Sequence, residues 1–170
     1  MSFGASIATV FRKYAVFRGV ATRPEYWWWT LFSFLVAMAV NLLMTATGED
    51  NIGSSFGLAS TISLVWSLGT LLPSLAVAVR RFHDAGFSGK WLWLYLVPVV
   101  GLVFTIANAV PVILGIMQGA LVGDALAAAV LGLVGVAAIP LLAGLAIGIF
   151  ALVVTLLPSK SAAEGNKHAV

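Results

Sequence analysis

The sequence predicts an all-α integral membrane protein: a four-span helical bundle with an N-terminal amphipathic interfacial helix and a long last span kinked near Pro140. Three observations carry this prediction. Hydrophobic residues make up 61% of the 170-residue chain and charged residues only 9%, where a soluble globule carries roughly a quarter charged. The apolar residues gather in stretches long enough to cross a hydrocarbon core of about 30 Å. All nine Lys and Arg fall in the N-terminal segment (Arg12, Lys13, Arg18, Arg23), a central loop (Arg80, Arg81, Lys90) and the tail (Lys160, Lys167). The two remaining loops hold only acids, Glu49 and Asp50 in one and Asp124 in the other. That alternation follows the positive-inside rule and predicts that both termini are cytoplasmic.

The elements follow in order along a single domain. Phe3, Ile7, Val10, Phe11, Tyr14 and Phe17 recur at helical spacing with Arg12, Lys13 and Arg18 between them. Residues 1–22 therefore read as an amphipathic segment, lying in the headgroup plane or packed on the ends of the spans. No cleavable signal peptide is evident, so the first span acts as its own insertion signal. The spans are 26–47, 56–79, 91–117 and 125–157. Trp27, Trp28 and Trp29 open the first, and Trp91 with Trp93 opens the third, as suits a membrane interface. A polar turn at 48–55 joins the first two. The last stretch would reach about 50 Å as one helix, which Pro140 and several glycines accommodate by a kink or tilt. A hairpin of two short helices would leave unpaired backbone groups in lipid and put the tail outside. Residues 158–170 read as a polar, mobile tail.

Two clusters carry the charged chemistry. In the first, Thr22 to Glu25 fits a capping box, with Thr22 as N-cap, Glu25 three residues on and Pro24 in the first turn. In the second, Arg80 and Arg81 end the second span, where cations favour the helix C-terminus. Gly86 suits a left-handed C-cap and Ser88 the N-cap of the third span. Thr22, Glu25, Asp84 and Ser88 form the structural polar set of this reading. Glu25 is expected to pair with Arg80 or Arg81, and Asp84 with Arg23 or Arg80. Arg23, Arg80, Arg81, His83 and Lys90 are the candidate anion or lipid-headgroup ligands, because guanidinium groups hold phosphate oxygens by paired hydrogen bonds. Neighbouring arginines oppose a metal at Glu25, His83 and Asp84, so neither a metal nor a cofactor is expected.

These residues resemble the domain of unknown function 805 family of bacterial membrane proteins. The resemblance runs through Phe17, Gly19, Arg23, Glu25, Tyr26 and Trp27, then Arg80, Arg81, His83, Asp84, Gly86, Ser88, Gly89 and Trp91. It continues with Pro98 and Gly101, and ends with Leu157-Pro158-Ser159 and Asn166. Val20 and Phe82 depart from the family pattern, Lys90 is an insertion, and the stretch from Gly115 to Gly148 is extra length. The resemblance implies an inner-membrane location and no established reaction.

Composition also excludes functions. Without Cys there is no disulfide, thiolate metal site or cysteine nucleophile. A net charge of +3 is too small to suggest nucleic acid. A channel or transporter needs polar groups near the midplane, where the spans offer only Asn41, Asn108 and scattered Ser and Thr. A Ser88 nucleophile served by His83 would be the enzyme reading. Gly115, Gly119 and Gly123, and Gly144 with Gly148, are spaced for close helix approach and homo-oligomer contact. The reading that remains is a scaffold or accessory protein whose cytoplasmic Arg/His/acid cluster binds anionic lipid headgroups or a membrane partner. An oligomeric small transporter or channel is the alternative, and a membrane enzyme acting on a lipid phosphate is the third.

Overall fold

The computed structural model describes residues 1–49, 57–164 and 166. Its regular elements are all helical, and four helices are long and apolar enough to cross a membrane. The chain divides into two compact units, Met1–Gly89 with Thr155–Val170, and Lys90–Val154.

In the first unit, α1 spans Phe3–Arg12, α2 Arg23–Thr47 and α3 Leu58–Asp84. Helix α1 ends at Arg12, so Tyr14 and Phe17 lie beyond it. It packs on α2 through Val10, which is fully buried, and through edge contacts of Phe3 with Trp28 and Phe11 with Trp29. Tyr14 donates its hydroxyl to the Gly69 carbonyl at 2.5 Å. That carbonyl lies four residues before Pro73, which has no N–H to return. Tyr14 thus supplies the donor that the proline removes from the ladder of α3.

Helices α2 and α3 run antiparallel. The Trp29 indole N–H donates to Ser74 Oγ at 3.1 Å, and Phe32 meets Trp66 edge to face. Each helix stops where the chain turns left-handed at a glycine. Gly48 (φ 72°) follows α2 and Gly86 (φ 84°) follows α3, each with the paired reverse hydrogen bonds of a Schellman motif. The expected glycine cap at Gly86 is therefore present. At the far end Glu49 folds over the start of α3. Its carboxylate accepts from Ala59 N, Ser60 N and Ser60 Oγ at 3.1, 2.8 and 2.7 Å. Helix α3 has Gly57 as its N-cap, with no side chain to cap it, so the carboxylate of a residue outside the helix satisfies its first N–H groups. Asp50 and Phe56, with most of the expected 48–55 turn, lie outside the described residues.

A 3-10 segment, Gly89–Tyr95, all but its first residue in the second unit, leads into α4, Leu96–Met117. The α-helix starts later than the span expected from Trp91, and Ser88 does not cap it; the N-cap is Tyr95 and makes no side-chain cap bond. Pro98 falls in the first turn of α4, where its missing N–H costs no helical hydrogen bond. Helix α5 runs Gly123–Leu156 without a break through Pro140. It is one helix, not a hairpin. Within this unit α4 and α5 run antiparallel: Trp91 meets Phe150, Gly101 faces Pro140, and Gly144 faces Pro98. A Cβ added at Gly101 would lie 2.4 Å from Pro140 Cβ. Glycine at 101 therefore lets the proline ring seat against α4.

The proposed stripe of Gly115, Gly119 and Gly123 is corrected. Gly119 (φ 68°) lies in the turn after α4 and Gly123 (φ 56°) opens α5, and the space beside Gly115 is filled by Leu121. No helix face carries all three. Asn41 and Asn108, the polar residues within the spans, donate to carbonyls of their own helices, Ala37 and Phe104.

The cap at Glu49 makes stability depend on pH. Hydrogen bonds from Ser60, side chain first and then backbone, lower its pKa from 4.5 to about 2. A depressed carboxylate contributes stability above its unfolded value and loses it as pH falls toward the folded value. In detergent melts, the wild-type Tm should fall between 4.5 and about 2 more steeply than that of Glu49→Gln. The substituted protein should already melt lower at neutral pH. Parallel curves would mean that the cap contributes nothing.

Candidate functional site at the basic end

Antiparallel pairing brings the first turn of α2 to the last turn of α3. Thr22 caps α2 with Oγ1 accepting from Glu25 N at 3.4 Å, and Pro24 occupies the first turn. This is half of the expected capping box. Glu25 directs its carboxylate across to α3, where Arg80 Nη1 donates to Oε1 at 2.5 Å. Arg80 is 0% exposed and Glu25 only 4%. Of the two expected partners for Glu25, the structure selects Arg80. The Arg80 carbonyl also accepts from Ala21 N at 3.0 Å, tying the approach to α2 against the end of α3. Arg80 Nε and Nη2 are buried without a hydrogen-bond partner.

Arg81 faces elsewhere. Adjacent residues on a helix project about 100° apart, and Arg81 turns toward the end of α5. It is 0% exposed. Its Nη1 donates to Asp84, three residues on. Its Nε and Nη2 both donate to the Thr155 carbonyl at 3.0 Å, and Nη2 also reaches the Leu157 carbonyl at 2.5 Å. The expectation that Asp84 pairs with Arg23 or Arg80 is thus corrected: Arg81 and Asp84 share a helix face, whereas Arg80 is held by α2. Arg23 Nε donates to the same Leu157 carbonyl at 2.9 Å, from an exposed position.

The tail is the feature that sequence reasoning missed. Ser159 Oγ donates to Asp84 Oδ2 at 2.5 Å, and Lys160 N donates to the Asp84 carbonyl at 2.8 Å. Asn166, 5% exposed, donates through Nδ2 to the carbonyls of His83 and Lys160 at 2.9 and 3.0 Å. Glu164 closes a small turn by accepting from Ser161 N, which lowers its pKa. The expected mobile tail is instead tied down as far as Asn166; Lys167 and His168 lie outside the described residues. The available signal was the recurrence of Leu157-Pro158-Ser159 and Asn166 in the family pattern. Polarity alone pointed to solvent.

The remaining candidates are placed as follows. His83 Nδ1 lies 3.2 Å from the Gly19 carbonyl. Ser88 is exposed just before the 3-10 segment, and Lys90 is exposed in the second unit. Beside Arg23, a groove of about 460 Å³ is lined by Arg23, Pro24, Trp27, Trp28 and Leu31.

Both clusters lie within the stretch that a protein family covers. A family model described as protein of unknown function (DUF805) matches residues 14–168, and the chain belongs to that family. It is 36% identical over 93 residues to the inner membrane protein YhaI of Escherichia coli strain K12, covering 55% of this chain and 72% of that one. It is 35% identical over 92 residues to the inner membrane protein YhaH of the same strain, covering 54% and 73%. No solved structure matches it. With four apolar helices of spanning length, the chain is a multi-pass protein of the bacterial inner membrane.

Arg81→Lys tests the clasp. An ammonium cannot serve two carbonyls and a carboxylate as the planar fork does. The substitution leaves buried acceptors unsatisfied, at a cost of about 1–3 kcal/mol. A reversible unfolding titration in mixed micelles should record that loss. A difference within error would mean that the carbonyl contacts carry no stability.

Proposed function

We propose that the chain is a scaffold or accessory protein of the inner membrane whose basic end faces the cytoplasm and binds anionic lipid headgroups. The observation that carries this reading is a division of labour among the arginines. Arg80 and Arg81 are fully buried and engaged with Glu25, Asp84 and backbone carbonyls. Arg12, Arg18 and Arg23 are exposed. Around the exposed bases stand Tyr14, Phe17 and Trp28, exposed by about 37–38%. Such aromatic rings settle at headgroup level, and bases there attract anionic phosphates. The groove at Arg23, Trp27 and Trp28 offers one guanidinium beside apolar walls, a match to a phosphate carried on acyl chains. Buried arginines of the signature thus build the platform, and exposed ones meet the lipid.

Native mass spectrometry in mild detergent tests the reading, with phosphatidylglycerol, cardiolipin and phosphatidylcholine compared as additives. Each exposed base should contribute about 1 kcal/mol, or about fivefold in affinity. The triple substitution Arg12→Ala, Arg18→Ala, Arg23→Ala should strongly reduce bound phosphatidylglycerol and cardiolipin. It should leave phosphatidylcholine unchanged, and added salt should mimic it. Equal retention of anionic lipid by both proteins would refute the proposal.

A further inference from the structure

Two arginines of the basic end converge on one carbonyl. Arg23 Nε and Arg81 Nη2 both donate to the oxygen of Leu157, where Pro158 stops α5. The last carbonyls of any helix lack partners within it, and Thr155 and Leu157 find theirs in guanidinium groups. Beyond Pro158 the segment continues across the end of α3. Ser159 and Lys160 bond Asp84, the Lys160 side chain covers Gly86, and Asn166 bonds the His83 carbonyl from a buried position. Neutral carbonyl oxygens therefore occupy donors of the kind that a phosphate would take, and they bring no charge to match the arginines. The same end is short of acceptors, since Arg80 Nε and Nη2 are buried and unpartnered.

We infer that the segment from Leu157 to Glu164, with Asn166, is a strap whose Leu157 carbonyl occupies donors of Arg23 and Arg81 in place of an anion, and that its release opens those donors to a phosphate-bearing ligand. The inference rests on the lipid-headgroup reading above and adds its regulation. The Asn166 side chain is the distal pin of the strap and Ser159 the proximal one. Both bond groups of the Arg-Arg-x-His-Asp signature at its acidic end, Asp84 and the backbone of His83. Losing either pin leaves the α2–α3 pairing intact, because Glu25, Arg80 and the Trp29–Ser74 bond do not involve the tail.

The test uses the full chain and two release variants, Asn166→Ala and the double substitution Ser159→Ala with Asn166→Ala. Two readouts are taken: trypsin cleavage after Lys160, and bound phosphatidylglycerol by native mass spectrometry, with inorganic phosphate added to one arm to separate a lipid headgroup from a free anion. Release should speed cleavage after Lys160 and raise anionic-lipid binding about fivefold, the worth of one added basic contact. Adding Arg23→Ala to the double variant should remove that gain. Faster cleavage with unchanged lipid binding would overturn the strap while leaving the lipid reading in place. Unchanged cleavage in both variants would overturn it too, because the pins would not be holding the segment. If neither wild type nor variants prefer phosphatidylglycerol to phosphatidylcholine, the lipid reading and the strap both fail. Competition by inorganic phosphate would assign the opened site to free anions.

Discussion

The first unit is organised by one buried ion pair, Glu25 with Arg80. Removing two ions from water costs several kcal/mol each, and their attraction repays this only in good geometry. Here it joins the first turn of α2 to the last turn of α3 and fixes their antiparallel register. The Trp29–Ser74 bond follows one turn further in, and Glu49 reaches the start of α3 at the opposite end. The approach to α2 is tied to the same point by the bond from Ala21 N to the Arg80 carbonyl. Because two of the Arg80 donors have no partner, nearly all of its compensation comes through Glu25.

The second arginine does different work because of helix geometry alone. A residue placed 100° further round the helix faces a different neighbour. Arg80 addresses α2, and Arg81 addresses the end of α5 and the tail. Consecutive arginines thus knit three separate segments of the chain together at one end, and neither is left for a ligand while the tail is in place. The arginine that remains accessible is Arg23, which donates only Nε to Leu157 and borders the aromatic groove.

The sequence made the local features readable because their causes are local. Thr22 as a cap, Gly86 as a left-handed terminator and the four apolar stretches follow from single residues or short periods. The pairing of Glu25 with one of two arginines was also within reach, since the spans bring both motifs to one end. The misreadings have other causes. Asp84 was assigned by four-residue spacing to Arg80, but Arg80 is claimed by a residue 55 positions away. Gly119 and Gly123 matched a helix stripe, yet the helix ends at Met117. Ser88 does stand directly before the helical run Gly89–Met117 of the third span, although its first turns are 3-10 and α4 begins only at Leu96. Polar residues 158–170 suggested a mobile tail because composition carries no information about acceptors and donors supplied by α3. For Asp84 and the tail a contact distant in sequence overrode a sound local rule; for the glycines a nearby helix end did.

The central claim is that Glu25 and Arg80 act as one unit, and a double-mutant cycle measures this directly. Unfolding free energies would be obtained in mixed micelles for wild type, Glu25→Gln, Arg80→Gln and the double substitution. Breaking a buried pair by removing one partner costs about 3–5 kcal/mol, because a charge is stranded. Each single substitution should therefore be costly, and the double one should cost about the same as either alone, giving a coupling energy equal to one single cost, about 3–5 kcal/mol. Additive effects, with coupling near zero, would contradict the account and leave the register of α2 and α3 to aromatic packing.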